Sequence, residues 1–120
     1  MTNFFRSFIF AIDGIKLLFK GYNFKIQILL FILISVFGLF VSFTAQEWML
    51  VLLTSGCVLA AEGFNTAIEE LCNLYSTDTN SNIRRIKDIS AGAVLILSVF
   101  SFFIGLLLIW KYFFNVFCFE

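Results

Sequence analysis

Glu62, Asn65 and Glu69 are separated by three and four positions in the middle of the chain. On a helix at about 100° per residue, that spacing turns all three toward one side. Two carboxylates and an amide on one face suit magnesium chemistry, in which one carboxylate holds a metal–phosphate group while the other accepts the proton of a hydroxyl. The same residues also suit a plainer task, hydrogen-bonding neighbouring helices in a membrane bundle and fixing their register. Glu70 points elsewhere and is expected to be solvated. Lys87 and Asp88 open a second segment, in which the face of Lys87 continues through Ala91, Val94, Ser98, Ser101 and Gly105. Small residues in such a stripe favour close helix packing. Lys87 would emerge at the level of Glu69, where a phosphate would meet both a cation and a metal-bearing acid. It would serve equally as a cation flanking a membrane span.

The elements that must position these groups follow from composition. The chain has 120 residues, 61% of them hydrophobic, with 18 Phe and no Pro, and a mean hydropathy of +0.99. A soluble domain is roughly 45–50% apolar. A bilayer core about 30 Å thick takes roughly 20 apolar residues as a helix, so this length allows about three crossings within a single domain. Lys+Arg and Asp+Glu both number 8, which leaves no broad field to attract nucleic acid. Cys57, Cys72 and Cys118 are scattered in apolar context without metal-type spacing, and read as small hydrophobes. The first residues lack the small-residue cleavage site of a signal peptide.

The fold expected is an all-α membrane protein, three transmembrane helices preceded by an amphipathic surface helix. In residues 4–20, Phe5, Phe8, Ile12, Ile15 and Phe19 recur at helical spacing against Arg6, Asp13, Lys16 and Lys20, as in a helix lying in a membrane surface. Residues 26–43, 49–75 and 89–112 are the expected membrane helices. Residues 44–48 read as a polar turn, with Trp48 as an interfacial anchor, and residues 76–82 as a second turn. Lys16, Lys20 and Lys25 precede the first span, Arg84, Arg85 and Lys87 lie between the second and third, and the other loop has no cation. The positive-inside rule then makes the amino terminus and second loop cytoplasmic and leaves Lys111 outside.

With these segments in place, the sequence resembles the prokaryotic diacylglycerol kinase and undecaprenol kinase family of small trimeric membrane enzymes. The resemblance rests on E-G-F-N-T-A-I-E at residues 62–69, K-D-I-S-A-G-A-V-L at 87–95 and N-F-K-I-Q at 23–27. It implies ATP-dependent phosphorylation of a lipid alcohol, diacylglycerol or undecaprenol, at the cytoplasmic face of a bacterial membrane, by a homotrimer with active sites shared between chains. By the same resemblance Glu62 is the general base, Glu69 the acidic Mg2+ ligand, and Asn65 and Lys87 bind ATP phosphates. Asp88 matches an acid of the nucleotide site. The Glu47-Trp48 pair is similar to the undecaprenol-type branch.

One position departs from the pattern. The family usually carries a glutamate, a second carboxylate for the metal, two residues before the Asn-Phe segment. This chain reads K-G-Y-N-F with Gly21 there and one residue fewer. Asp13 is too far back to replace it by a register shift. A non-catalytic family member acting as a membrane binding or assembly protein is the alternative this departure suggests. A channel or transporter subunit would use Glu62 and Glu69 as ion ligands but leaves the Lys87-Asp88 match without a role.

Overall fold

The computed structural model describes residues 2–76 and 80–118. They form four helices: α1 (Thr2–Leu18), α2 (Tyr22–Val41), α3 (Ala45–Tyr75) and α4 (Ser81–Phe117). Three of them, α2, α3 and α4, are long and apolar enough to cross a membrane. Only 11%, 22% and 11% of their most apolar windows is buried inside the molecule, so most of the apolar surface faces outward, as hydrocarbon solvent requires. α1 is a separate helix with no buried residue.

The helix ends have local causes. Residues 44–48, expected as a turn, are instead the start of α3. The Thr44 hydroxyl accepts the Glu47 N–H at 3.3 Å and the Glu47 carboxylate accepts the Thr44 N–H at 2.9 Å. This reciprocal capping box satisfies two donors that a helix start leaves open. α2 covers 22–41 where 26–43 was expected, because Ser42 turns left-handed at φ 62° and the Phe43 N–H closes on the Gly38 carbonyl at 2.9 Å. α4 begins at Ser81, eight residues before the expected start, since the Asn80 side chain caps it by accepting the Asn82 N–H at 2.9 Å. The polar residues before position 89 are thus the first turns of α4. The expected turn at residues 76–82 keeps Ser76 and Asn80 as helix caps, and its centre lies outside the described residues.

α3 is the hub of the packing. α2 and α4 each lie along it and meet each other little, and α1 touches it near one point. At the end where α3 starts, Phe43, Val51 and Leu108 form a buried cluster joined by Phe37, Trp48 and Tyr112. The Phe43 ring meets Trp48 edge-on at 5.5 Å and Phe37 at 5.9 Å, the T-shaped geometry that aromatic quadrupoles favour. Glu47 is buried in this layer. Its carboxylate receives the Lys111 ammonium at 2.6 Å and the Tyr112 hydroxyl from α4. These contacts set the antiparallel register: Glu47 faces Lys111, Glu62 faces the stretch from Ala91 to Ser98, and Asn73 faces Lys87.

Gly38 is buried directly beneath the Phe43 ring, and a Cβ there would land inside that ring. Gly38→Ala is therefore expected to destabilise the protein by about 1–3 kcal/mol, the usual range for overpacking. Thermal unfolding in detergent micelles, with Gly56→Ala as control because its Cβ would have no neighbour within 4 Å, measures the difference.

Candidate functional site

The polar half of α3 carries the expected residues in the expected order. Glu62 and Asn65 are 6% and 5% exposed, unusual burial for groups that water solvates so well. A buried carboxylate needs partners, and Glu62 has one from another helix: Gln27 of α2 donates its Nε2 to Glu62 Oε2 at 3.4 Å. Thr66 donates its hydroxyl to the Glu62 carbonyl at 3.0 Å, which fixes the turn below. Asn65 donates its Nδ2 to Glu69 Oε1 at 3.5 Å, linking the buried end of the face to the exposed Glu69.

Two acceptor oxygens in this layer, Asn65 Oδ1 and Gln27 Oε1, are buried without a hydrogen-bond partner. An orphaned acceptor costs about 1–3 kcal/mol, so both oxygens keep capacity for a donor that the chain's own side chains do not supply. Glu62 and Gln27 line a groove of about 330 Å³ between α2, α3 and α4, with Asn23 at its mouth and Ile26, Leu30, Val94 and Leu95 along its walls.

Lys87 lies on α4 about one turn before Ala91 of the groove wall. Its ammonium donates to Asn73 Oδ1 at 2.6 Å across the α3–α4 pair. A neutral amide holds the lysine in place without cancelling its charge. Asp88 is exposed, and the residue that positions Lys87 is Asn73. Neither Asn73 nor Gln27 was singled out from the sequence as a site residue. Asn73 continues the Glu62, Asn65, Glu69 spacing by one more turn, a signal open to periodicity; Gln27 sits within N-F-K-I-Q, where only the fold shows what it touches. Glu70 is exposed, as expected.

Gly63, beside Glu62, brings α1 to the site. A Cβ there would come within 3.2 Å of Leu18 Cδ1, so the missing side chain lets the end of α1 seat against α3. Gly21 caps α2 in extended backbone at φ −76°, two residues before Asn23 of the groove. A Cβ at position 21 would lie 3.3 Å from the Leu18 carbonyl oxygen and otherwise meets only the Phe24 Cβ, at 4.0 Å. The thiols of Cys57, Cys72 and Cys118 are free, and among the described residues no group of three or more His, Cys, Asp or Glu side chains is placed to hold a metal ion.

Comparison with known proteins places this arrangement. The model of the prokaryotic diacylglycerol kinase family matches residues 9–109. The chain is also 32% identical over 109 residues to the undecaprenol kinase of Bacillus subtilis (strain 168), covering 90% of this chain and 89% of that protein.

Proposed function

Because the chain belongs to the prokaryotic diacylglycerol kinase family, and so is a multi-pass membrane lipid kinase, we propose that it transfers the γ-phosphoryl group of ATP to the hydroxyl of a lipid alcohol, with Glu62 as general base. The observation that carries this reading is the Glu62 carboxylate, buried yet held by a single long side-chain hydrogen bond and opening on a groove. A carboxylate left so lightly bonded in an apolar helix is costly, and an acid kept in a membrane helix at that cost is by default a candidate for function.

The lipid hydroxyl enters the groove and gives its proton to Glu62 as its oxygen bonds to the γ-phosphorus. The bond from that phosphorus to the bridging oxygen breaks, and ADP leaves. Such transfer asks the protein mainly for position and charge neutralisation, and the residues divide the work. Lys87, held by Asn73, supplies a positive charge for the phosphates. Asn65, with its amide tied to Glu69 and its Oδ1 unpartnered, orients the reacting groups, and Asp88 borders the nucleotide from the exposed start of α4. The donors fit a magnesium ion that arrives on the nucleotide, since such an ion takes one or two carboxylates and keeps its waters. Glu69 is the residue that would hold it, and the ion would supply charge neutralisation on the phosphates. By the positive-inside rule the cations Lys16, Lys20, Lys25, Arg84, Arg85 and Lys87 support a site on the cytoplasmic side of a bacterial inner membrane and an α1 that lies in that membrane surface. The outward apolar faces of α2 to α4 leave room for the homotrimer that the family resemblance implies.

Glu62→Gln keeps the shape and removes the base. It is expected to lower transfer by about 10²- to 10⁴-fold, the usual contribution of a positioned base, with ATP binding and the oligomer intact. Near wild-type turnover in the variant would make Glu62 structural.

Gly21→Glu tests the departure from the family pattern. The Leu18 carbonyl must give by only a few tenths of an ångström to admit a Cβ there. A second carboxylate near the metal is expected to lower severalfold the magnesium concentration that gives half-maximal transfer. An unchanged magnesium curve would mean that position 21 does not face the ion.

A further inference from the structure

The bond that holds Glu62 spans two helices, so the spacing of α2 and α3 at that level decides whether it forms. Gln27 Nε2 lies 3.4 Å from Glu62 Oε2, at the long end of useful hydrogen-bond geometry. The chain connects the two helices only at their other end, where the Phe43 N–H closes on the Gly38 carbonyl and Thr44 caps α3. From Val41, the last residue of α2, back to Gln27 is about 21 Å at 1.5 Å per residue. Tilting α2 by about 3° around that end would move Gln27 by about 1 Å, enough to break the bond. α4 offers α2 little support, since the two meet little.

The end of α1 bridges α2 and α3 at the Glu62 level. Leu18 is half-buried on a helix that buries no residue completely. Its Cδ1 lies over the bare backbone of Gly63, where a Cβ would come within 3.2 Å, and Gly63 directly follows Glu62 in α3. The next residue, Phe19, sets its ring edge-on to Phe24 of α2 at 5.1 Å, and Phe24 is buried about one turn before Gln27. The chain between α1 and α2 turns without slack. The Lys20 N–H donates to the Leu17 carbonyl at 3.1 Å, the Gly21 N–H to the Leu18 carbonyl at 3.0 Å and the Lys25 N–H to the Gly21 carbonyl at 3.2 Å. One side chain thus rests on α3, its neighbour rests on α2, and a hydrogen-bonded corner joins them.

Resting on the kinase reading above, we infer that Leu18 is a positioning residue for the reaction: seated on Gly63, it braces α2 against α3 and so keeps Gln27 bonded to the base. It touches no reacting atom and acts through Gln27. A glycine inside a helix weakens that helix relative to alanine, yet α3 carries one beside its buried acid, at the position where a side chain would push Leu18 away. The seat is not needed for the packing of the bundle, because α1 contributes no buried residue to it. It does serve the base, since a reacting group displaced by about 1 Å can lose up to about 10²-fold in rate.

The test uses the full chain in phospholipid nanodiscs, isotopically labelled in its glutamine side-chain amides and observed by NMR. Gln27 and Gln46 are the two glutamines; loss of a signal in Gln27→Leu assigns the first, and Gln46, exposed in the first turn of α3, is the control. Leu18→Ala is expected to move the Gln27 amide signal toward that of a solvated amide and to leave Gln46 in place, with little change in thermal unfolding. In the same variant kcat for phosphoryl transfer is expected to fall by about tenfold, with KM for ATP unchanged, because Lys87 and Asn73 lie on α3 and α4. Leu18→Met, which keeps a long apolar side chain, is expected to retain the wild-type signal and turnover. An unmoved Gln27 signal in Leu18→Ala would overturn the inference, as would a moved signal with unchanged turnover. Failure of Leu18→Ala to fold would also overturn it, by making the contact part of the core. Transfer by the wild-type chain keeps the two claims apart: a moved signal in a chain that transfers no phosphate sustains the brace and sinks the kinase reading, and transfer with an unmoved signal does the reverse.

Discussion

Keeping a carboxylate inside an apolar helix is the constraint on which the rest of this molecule depends. Glu62 lies within α3, and exposing it to hydrocarbon would cost a few kcal/mol on insertion scales. Each neighbouring feature reduces that cost. α3 is the hub on which α2 and α4 pack, so its polar face is turned inward. α2 brings Gln27 across to donate a hydrogen bond, and Gly63 lets α1 close over the same level. The exposed apolar surface of the other faces then needs no internal partner, because lipid supplies it.

The two buried glutamates of α3 differ in how fully their carboxylates are bonded and not in burial. Glu47 has the Thr44 N–H, the Lys111 ammonium and the Tyr112 hydroxyl, and it locks the start of α3 to the last turns of α4. A charge so fully bonded has nothing left to give a substrate. Glu62, equally buried, has one 3.4 Å side-chain bond and unpartnered amide oxygens in its own layer. The first acid fixes the register that brings Glu62 opposite Val94 and Asn73 opposite Lys87.

Much of this was legible in the sequence. Long apolar runs imposed three membrane-length helices, and the three- and four-residue spacings placed Glu62, Asn65 and Glu69 on one face. The resemblance carried by residues 62–69 and 87–95 was matched by the family comparison. The misread boundaries were places where polar residues serve the helix itself. Thr44 with Glu47 is a capping box that reads as a turn if composition alone is weighed, and the basic start of α4 resembles a loop for the same reason. Contacts between distant segments were beyond reach: the pairing of Glu47 with Lys111, 64 positions later, depends on how two helices slide against each other, which no single helix pattern encodes. Gln27 was hidden likewise, since its role exists only once α2 lies beside α3.

The central claim is that a buried, lightly bonded carboxylate here serves phosphoryl transfer to a lipid hydroxyl. Transfer of radiolabelled phosphate from ATP to a panel of lipid alcohols, with the purified chain in detergent–lipid mixed micelles at millimolar magnesium, measures this directly. The account predicts labelled lipid phosphate that depends on both magnesium and the added alcohol. No labelled lipid with any alcohol at any magnesium concentration would contradict it, and would leave a family member that keeps the fold without the reaction.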